Sequence, residues 1–207
     1  ELHPVAGAPG IMPVMLEQRI EQHFIDSADL KYQAAQGLSK PIAAAVQALM
    51  VCVTSGGKVL ACGNGGAAAA AQAFVASFVG GFERDRPELA ALALANDSAT
   101  LTAVADGHGF DAVYARQLRA LGGSGDVLLA ISVDGRCAGL LQAIAAAHER
   151  EMVVIGLTGH GGGPMAQALR DTDVHICVPH ERPARVLEVQ MLALHCLCDA
   201  VDTQLLG

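Results

Sequence analysis

Between Met15 and about Gln36 the apolar residues Leu16, Ile20, Phe24 and Ile25 recur at helical spacing. A stripe repeating every three to four residues marks a helix with one face turned inward. Pro41 to Thr54 repeats the pattern through Ile42, Val46, Leu49 and Met50, so two helices are predicted ahead of the first strand. The period then changes. KVLACG (58–63), LAALAL (89–94), DVLLAIS (126–132), MVVIGLT (152–158) and VHICVP (174–179) are short apolar runs without polar alternation. Runs of that kind are strands covered on both faces, as in a parallel sheet. Helical stretches fill the gaps at about 67–79, 98–105, 110–121, 138–150 and 164–170, and a final helix runs from about Ala184 to Leu205. The alternation predicts an α/β fold: a three-layer sandwich with a five-stranded parallel sheet flanked by helices, and two N-terminal helices.

Composition narrows the class. A chain of 207 residues fits one domain, placed here over residues 14–207, and can bury a full core without metal or disulfide staples. Residues 1–13, ELHPVAGAPGIMP, are rich in Pro and Gly and read as a disordered leader or an expression remnant. They carry no basic segment followed by an apolar core, and no later apolar run reaches spanning length, which predicts a cytoplasmic protein without a membrane partner. Hydrophobic residues make up 52% and charged residues 16%, with no Trp, which points to close packing of small residues and to a subunit interface. The net charge of -8 and the lack of a Lys/Arg cluster exclude direct nucleic-acid binding. The six Cys (52, 62, 137, 177, 196, 198) are scattered through apolar runs and read as reduced core thiols.

In a parallel α/β sheet, ligands sit beyond the carboxyl ends of the strands, where loops meet helix N-termini. Four segments fall there: GNGG (63–66), AND (95–97), SVDGRC (132–137) and TGHGGG (158–163). Gly63, Gly65 and Gly66 let backbone amides turn toward an anion, with Asn64 free to bond an oxygen. The spacing is neither that of a dinucleotide fingerprint nor that of a nucleotide P-loop, and the segment alone equally describes a tight strand-to-helix turn. Ser132 opens a second such loop. Asn96 and Asp97 form a third, where Asp97 is also a good N-cap.

The order CGNGG, a following A-x-A-Q-x-F helix, ERDRPELAALAL with ND shortly after, RQLRALG, GDVLLAIS, VIGLTG and ARVLEVQ resembles the sugar isomerase (SIS) family. Within it, the chain is similar to the branch of the phosphoheptose isomerases and of DiaA, which binds the replication initiator DnaA. The resemblance covers roughly residues 15–206. It implies a homotetramer with sugar-phosphate sites lined by neighbouring subunits. It also sets out what the isomerase chemistry uses: a Ser, a zinc-ligating His and a catalytic Glu on the first helix, hydroxyls in the phosphate loop, and a Gln and a His on the last helix. At those positions stand Ala67, Ala73 and Ser77, then Asp134 among the loop residues, then Leu187 and His195.

One imidazole cannot form a zinc site, so no cofactor is expected and the family's zinc is expected to be lost. Asp134 would repel a phosphate at close range. His195, the sole surviving catalytic-type position, is equally a satisfied core or interface residue. Leu205 and Leu206 stand where DiaA's apolar tip meets DnaA, or they pack on a neighbouring subunit. The expectation is therefore a non-catalytic SIS-fold oligomer that binds a partner, with DnaA as the candidate, and a sugar phosphate or other small ligand. Asn64, Gly65, Gly66, Asn96, Asp97 and Ser132 are the expected ligand-binding residues. The alternative is a working sedoheptulose-7-phosphate isomerase.

Overall fold

The structure, a computed structural model, describes residues 13–207. The expected leader therefore lies outside the described residues, except for Pro13, which opens the first helix. The elements follow in the order α1 (Pro13–Thr54), β1 (Val59–Gly63), α2 (Gly66–Gly80), β2 (Ala91–Ala93), α3 (Ser98–His108), α4 (Val113–Leu121), β3 (Val127–Ile131), α5 (Ala138–Glu149), β4 (Val153–Gly159), α6 (Gly163–Ala168), β5 (Val174–Val178) and α7 (Pro183–Leu206). Short 3₁₀ turns at Phe110–Ala112 and His160–Gly162 precede α4 and α6.

All five strands are parallel, in the order β2-β1-β3-β4-β5. Successive side chains of a strand point to opposite faces. Val59, Ala61, Val127, Leu129, Ile155 and Leu157 enter a core shared with α1, α2 and α7. Leu60, Cys62, Leu128, Ala130 and Val154 enter a second core with α4 and α5. Every residue of β1 and β3 is buried, which is why their sequences show no polar alternation. The three-layer sandwich is thus the expected one.

The N-terminal region differs from expectation. The two predicted helices are one, α1, of 42 residues with Pro41 inside it. Proline removes one amide donor and crowds the carbonyl four residues back. Here that residue is Gly37, and the Ser39 hydroxyl donates to the nearby Gln36 carbonyl (3.1 Å). Leu30, Ala34, Leu38, Val46 and Leu49 pack into the core on both sides of Pro41, so tertiary burial holds the helix continuous. Unbroken, α1 is long and apolar enough to cross a bilayer by length and composition, which reading the two halves separately did not anticipate.

Two polar ties pin the frame. Asp126 accepts from the Lys58 backbone amide (2.9 Å), the Lys58 ammonium (2.6 Å) and the Gly123 amide (2.9 Å), joining the starts of β1 and β3. Arg86 pairs with Asp202 of α7 in a fully buried contact and donates to the Ser77 carbonyl (3.2 Å).

Candidate functional site

From β1 the chain turns to one side of the sheet, and from β3 it turns to the other, so the crevice between these two strands is the topological switch point. A cavity of about 370 Å³ lies there. The loop after β1 contributes Asn64, Gly66 and Ala67. The loop after β3 contributes Ser132, Asp134 and Cys137, and α7 closes a wall with Ala184 and Leu187. The N-termini of α2 and α5 both begin in these loops, which favours an anion through unsatisfied amides and aligned peptide dipoles.

Glycine is required at two points of this frame. Gly65, the N-cap of α2, has φ +56°. Gly135 has φ +68°, and a Cβ there would lie 1.9 Å from the Gly162 carbonyl oxygen, so the β3 and β4 loops touch backbone to backbone.

The polar groups are held from behind. The hydroxyl of Tyr114, buried in α4, lies within hydrogen-bond distance of the Gly63 carbonyl (2.5 Å) and of Asn64 Oδ1 (2.8 Å), which share its one proton. Asn64 Nδ2 donates to Cys137 Sγ (3.0 Å). Burial first, then the nearby Cys62 and Cys137 thiols, push the Tyr114 hydroxyl up to about 12. Burial also pushes the Cys62 thiol far up. In the second loop, Ser132 Oγ accepts from the Gly135 amide (2.9 Å) and donates to Asp134 Oδ1 (3.2 Å), which also accepts from the Arg136 amide (3.1 Å). Gln190, wholly buried in α7, donates to the Ser132 carbonyl (2.7 Å) and the Leu157 carbonyl (3.3 Å).

Of the expected ligand-binding residues, Asn64, Gly66 and Ser132 line the cavity, and Gly65 forms its turn. Asn96 and Asp97 do not line it. Asp97 caps α3, accepting from the Ala99 amide (2.9 Å) and the Thr100 hydroxyl (2.6 Å). Ser77 and His195 also lie off the lining. His195 is exposed on α7 with its ring 5.3 Å from that of Phe82, so within one chain it is not a core residue. Leu205 and Leu206 are exposed at the end of α7. Cys137, Cys177 and Cys196 depart from the reading of core thiols, since all three are half-buried, and Cys137 lines the cavity. Tyr114 and Gln190 went unnoticed in the sequence. A tyrosine in an otherwise apolar helix face was the available signal, because a buried phenol needs a polar partner.

A zinc ion does not fit these residues. Ala73 and Leu187 offer no donor atom, Ser77 offers only a hydroxyl, and among the described residues no three His, Cys, Asp or Glu side chains gather to hold a metal. Leu187 instead packs on the glycine turn, so closely that a Cβ on Gly66 would fall 2.7 Å from Leu187 Cδ2.

The fold and the switch-point cavity define a three-layer α/β domain with its candidate site between β1 and β3, and comparison with known proteins gives its family. Residues 22–159 match the family model described as SIS domain, and the chain belongs to that family. It is 63% identical over 193 residues to a phosphoheptose isomerase of Methylibium petroleiphilum, covering 93% of this chain and 96% of the relative. It is similar to the structure of phosphoheptose isomerase GmhA from Neisseria gonorrhoeae, with a TM-score of 0.87, 46% identity, and 91% and 99% of the two chains covered. A phosphoheptose isomerase from Francisella tularensis gives a TM-score of 0.87 at 40% identity, with 90% and 97% covered.

These matches overturn the expectation of a non-catalytic binding protein acting on DnaA. Relatives aligned over nearly their whole length carry the name of an enzyme, and the alternative reading is the supported one. The expectation equated missing side chains with missing activity. Ala73, Ser77 and Leu187 change which groups can do chemistry, but they leave the cavity and its two helix N-termini intact.

Proposed function

We propose that this chain is a phosphoheptose isomerase that interconverts a ketose and an aldose 7-phosphate, sedoheptulose 7-phosphate being the ketose, without a bound metal. What carries the reading is the cavity between β1 and β3, onto which two helix N-termini, Asn64 and Ser132 converge. The reaction moves a carbonyl by one carbon. A base removes the proton from C1 while the C2 carbonyl oxygen gains one, giving an enediol. A proton then returns to C2 as the C1 hydroxyl loses its own, so nothing is oxidised or reduced overall.

A proton transfer of this kind needs a positioned acid–base group. Asp134 is the one carboxylate lining the cavity among the described residues, and we assign it that role. Like charges at close range repel, so the phosphate belongs away from Asp134, against the amides at the start of α2. Asn64 is then a donor to a sugar oxygen. The working unit in this reading is a homotetramer in the cytoplasm.

The test is turnover of sedoheptulose 7-phosphate by the purified protein with and without EDTA. Turnover unchanged by the chelator is expected. Absence of turnover in both conditions sinks the isomerase reading, whereas activity lost to EDTA and restored by zinc sinks only its metal-free part.

A further inference from the structure

We propose that Tyr114 is a positioning residue for this cavity: its hydroxyl fixes the Asn64 side-chain amide against the Cys137 thiol and so sets the donor geometry offered to a bound oxygen. The inference rests on the isomerase reading only for the identity of the ligand.

Asn64 sits on an exposed turn, where an amide would ordinarily rotate freely. Here it is gripped from two elements. On one side the hydroxyl of Tyr114, on α4, meets Asn64 Oδ1 at 2.8 Å. On the other, Cys137 Sγ, at the N-cap of α5, accepts from Nδ2 at 3.0 Å. A side-chain amide has two N–H donors. With one directed at sulfur, the other is left for a ligand acceptor, and the plane in which it points is set by Tyr114. The same hydroxyl reaches the Gly63 carbonyl at 2.5 Å, so it also fixes the end of β1 from which Asn64 departs.

A phenylalanine would fill the same apolar space beside Cys62, Leu94 and Leu118. Burying a hydroxyl is unfavourable unless it is bonded, and the polar partners of this one are Gly63 and Asn64. With the hydroxyl pushed up to about 12, it stays protonated and able to donate throughout the physiological range. The hydroxyl is therefore explained by what it holds, not by the core it sits in.

The experiment is a double-mutant cycle on binding, using sedoheptulose 7-phosphate and calorimetry on wild type, Tyr114→Phe, Asn64→Ala and the double variant. Tyr114→Phe is expected to weaken binding about fivefold to tenfold, the size of one hydrogen bond. The double variant is expected to bind no worse than Asn64→Ala alone, because residues that act through one another are not additive. Additive losses overturn the proposal, as does a lower melting temperature with an unchanged dissociation constant, which is the mark of a merely structural hydroxyl.

A crystal structure of Tyr114→Phe decides the same question without ligand. Asn64 should leave its place beside Cys137 or split into conformers, and an amide that stays put overturns the inference. If the wild type binds the sugar phosphate without turning it over, the isomerase reading falls while the binding cycle still decides on Tyr114. If it does not bind, the crystal structure alone decides.

Discussion

Asp134 is held in place from two directions, by the Ser132 hydroxyl and by the Arg136 amide, both on the same carboxylate oxygen. Asp134→Asn keeps the size of the side chain and its capacity to accept those bonds while removing the base. It is therefore expected to lower kcat for sedoheptulose 7-phosphate by about 10²–10⁴-fold with little change in melting temperature. Retained kcat would place the base elsewhere. At this scale the sequence was legible where a motif is local. Asn64, Gly66 and Ser132 were readable from the loops that carry them, and they line the cavity. Asp97 was read both ways, and the structure places it as a cap. Tyr114 and Gln190 were not legible, because their partners, Asn64 and Ser132, lie 50 and 58 positions away along the chain. Nor could the residues alone distinguish an isomerase with different working groups from a silenced one.

The strands were the most legible elements. Four of the five begin and end within one residue of the apolar runs, and in β1, β3 and β4 both faces are buried, so the run of apolar residues is the strand itself. β2 is shorter than its run, Ala91–Ala93 within 89–94, and pairs with β1 alone. Pro41 misled the reading of α1, because proline is a helix breaker locally and the packing that overrides it is not local. A proline inside a helix costs about 3 kcal/mol, and its stiffening of the unfolded chain returns only about 0.4–1 kcal/mol. Pro41→Ala should therefore stabilise the protein by about 2 kcal/mol, restoring the amide donor toward Gly37 in a helix that is already continuous. Urea unfolding checks this through a higher midpoint at an unchanged slope. A lower midpoint would mean that α1 depends on the proline for its path.

At the scale of the whole molecule the apolar stripe of α1 needs a partner. Leu16, Ile20, Phe24 and Ile25 were expected to face the core, but they are 50, 50, 72 and 46% exposed, and the face of α1 that packs inward is Leu30, Ala34 and Leu38. The period of the stripe was read correctly and its destination was not, because a helical period says that a face is buried without saying in which chain. Further along, a separate apolar groove of about 410 Å³ lies between α1 and α7, bordered by Ile42, Val46 and Leu192. Exposed apolar area of this kind on a single chain points to an interface. We expect four chains to close it, as the family resemblance implies. Light scattering on the eluting protein should then give four times the mass of one chain. Replacing Ile20 and Phe24 together with Glu should shift the mass to dimer or monomer while far-ultraviolet circular dichroism is retained, since neither side chain belongs to the core of its own chain. A double variant that remains tetrameric would move the interface to α2, whose outer face is the alanine-rich stripe of Ala69, Ala73 and Ala76, small enough for another helix to approach closely.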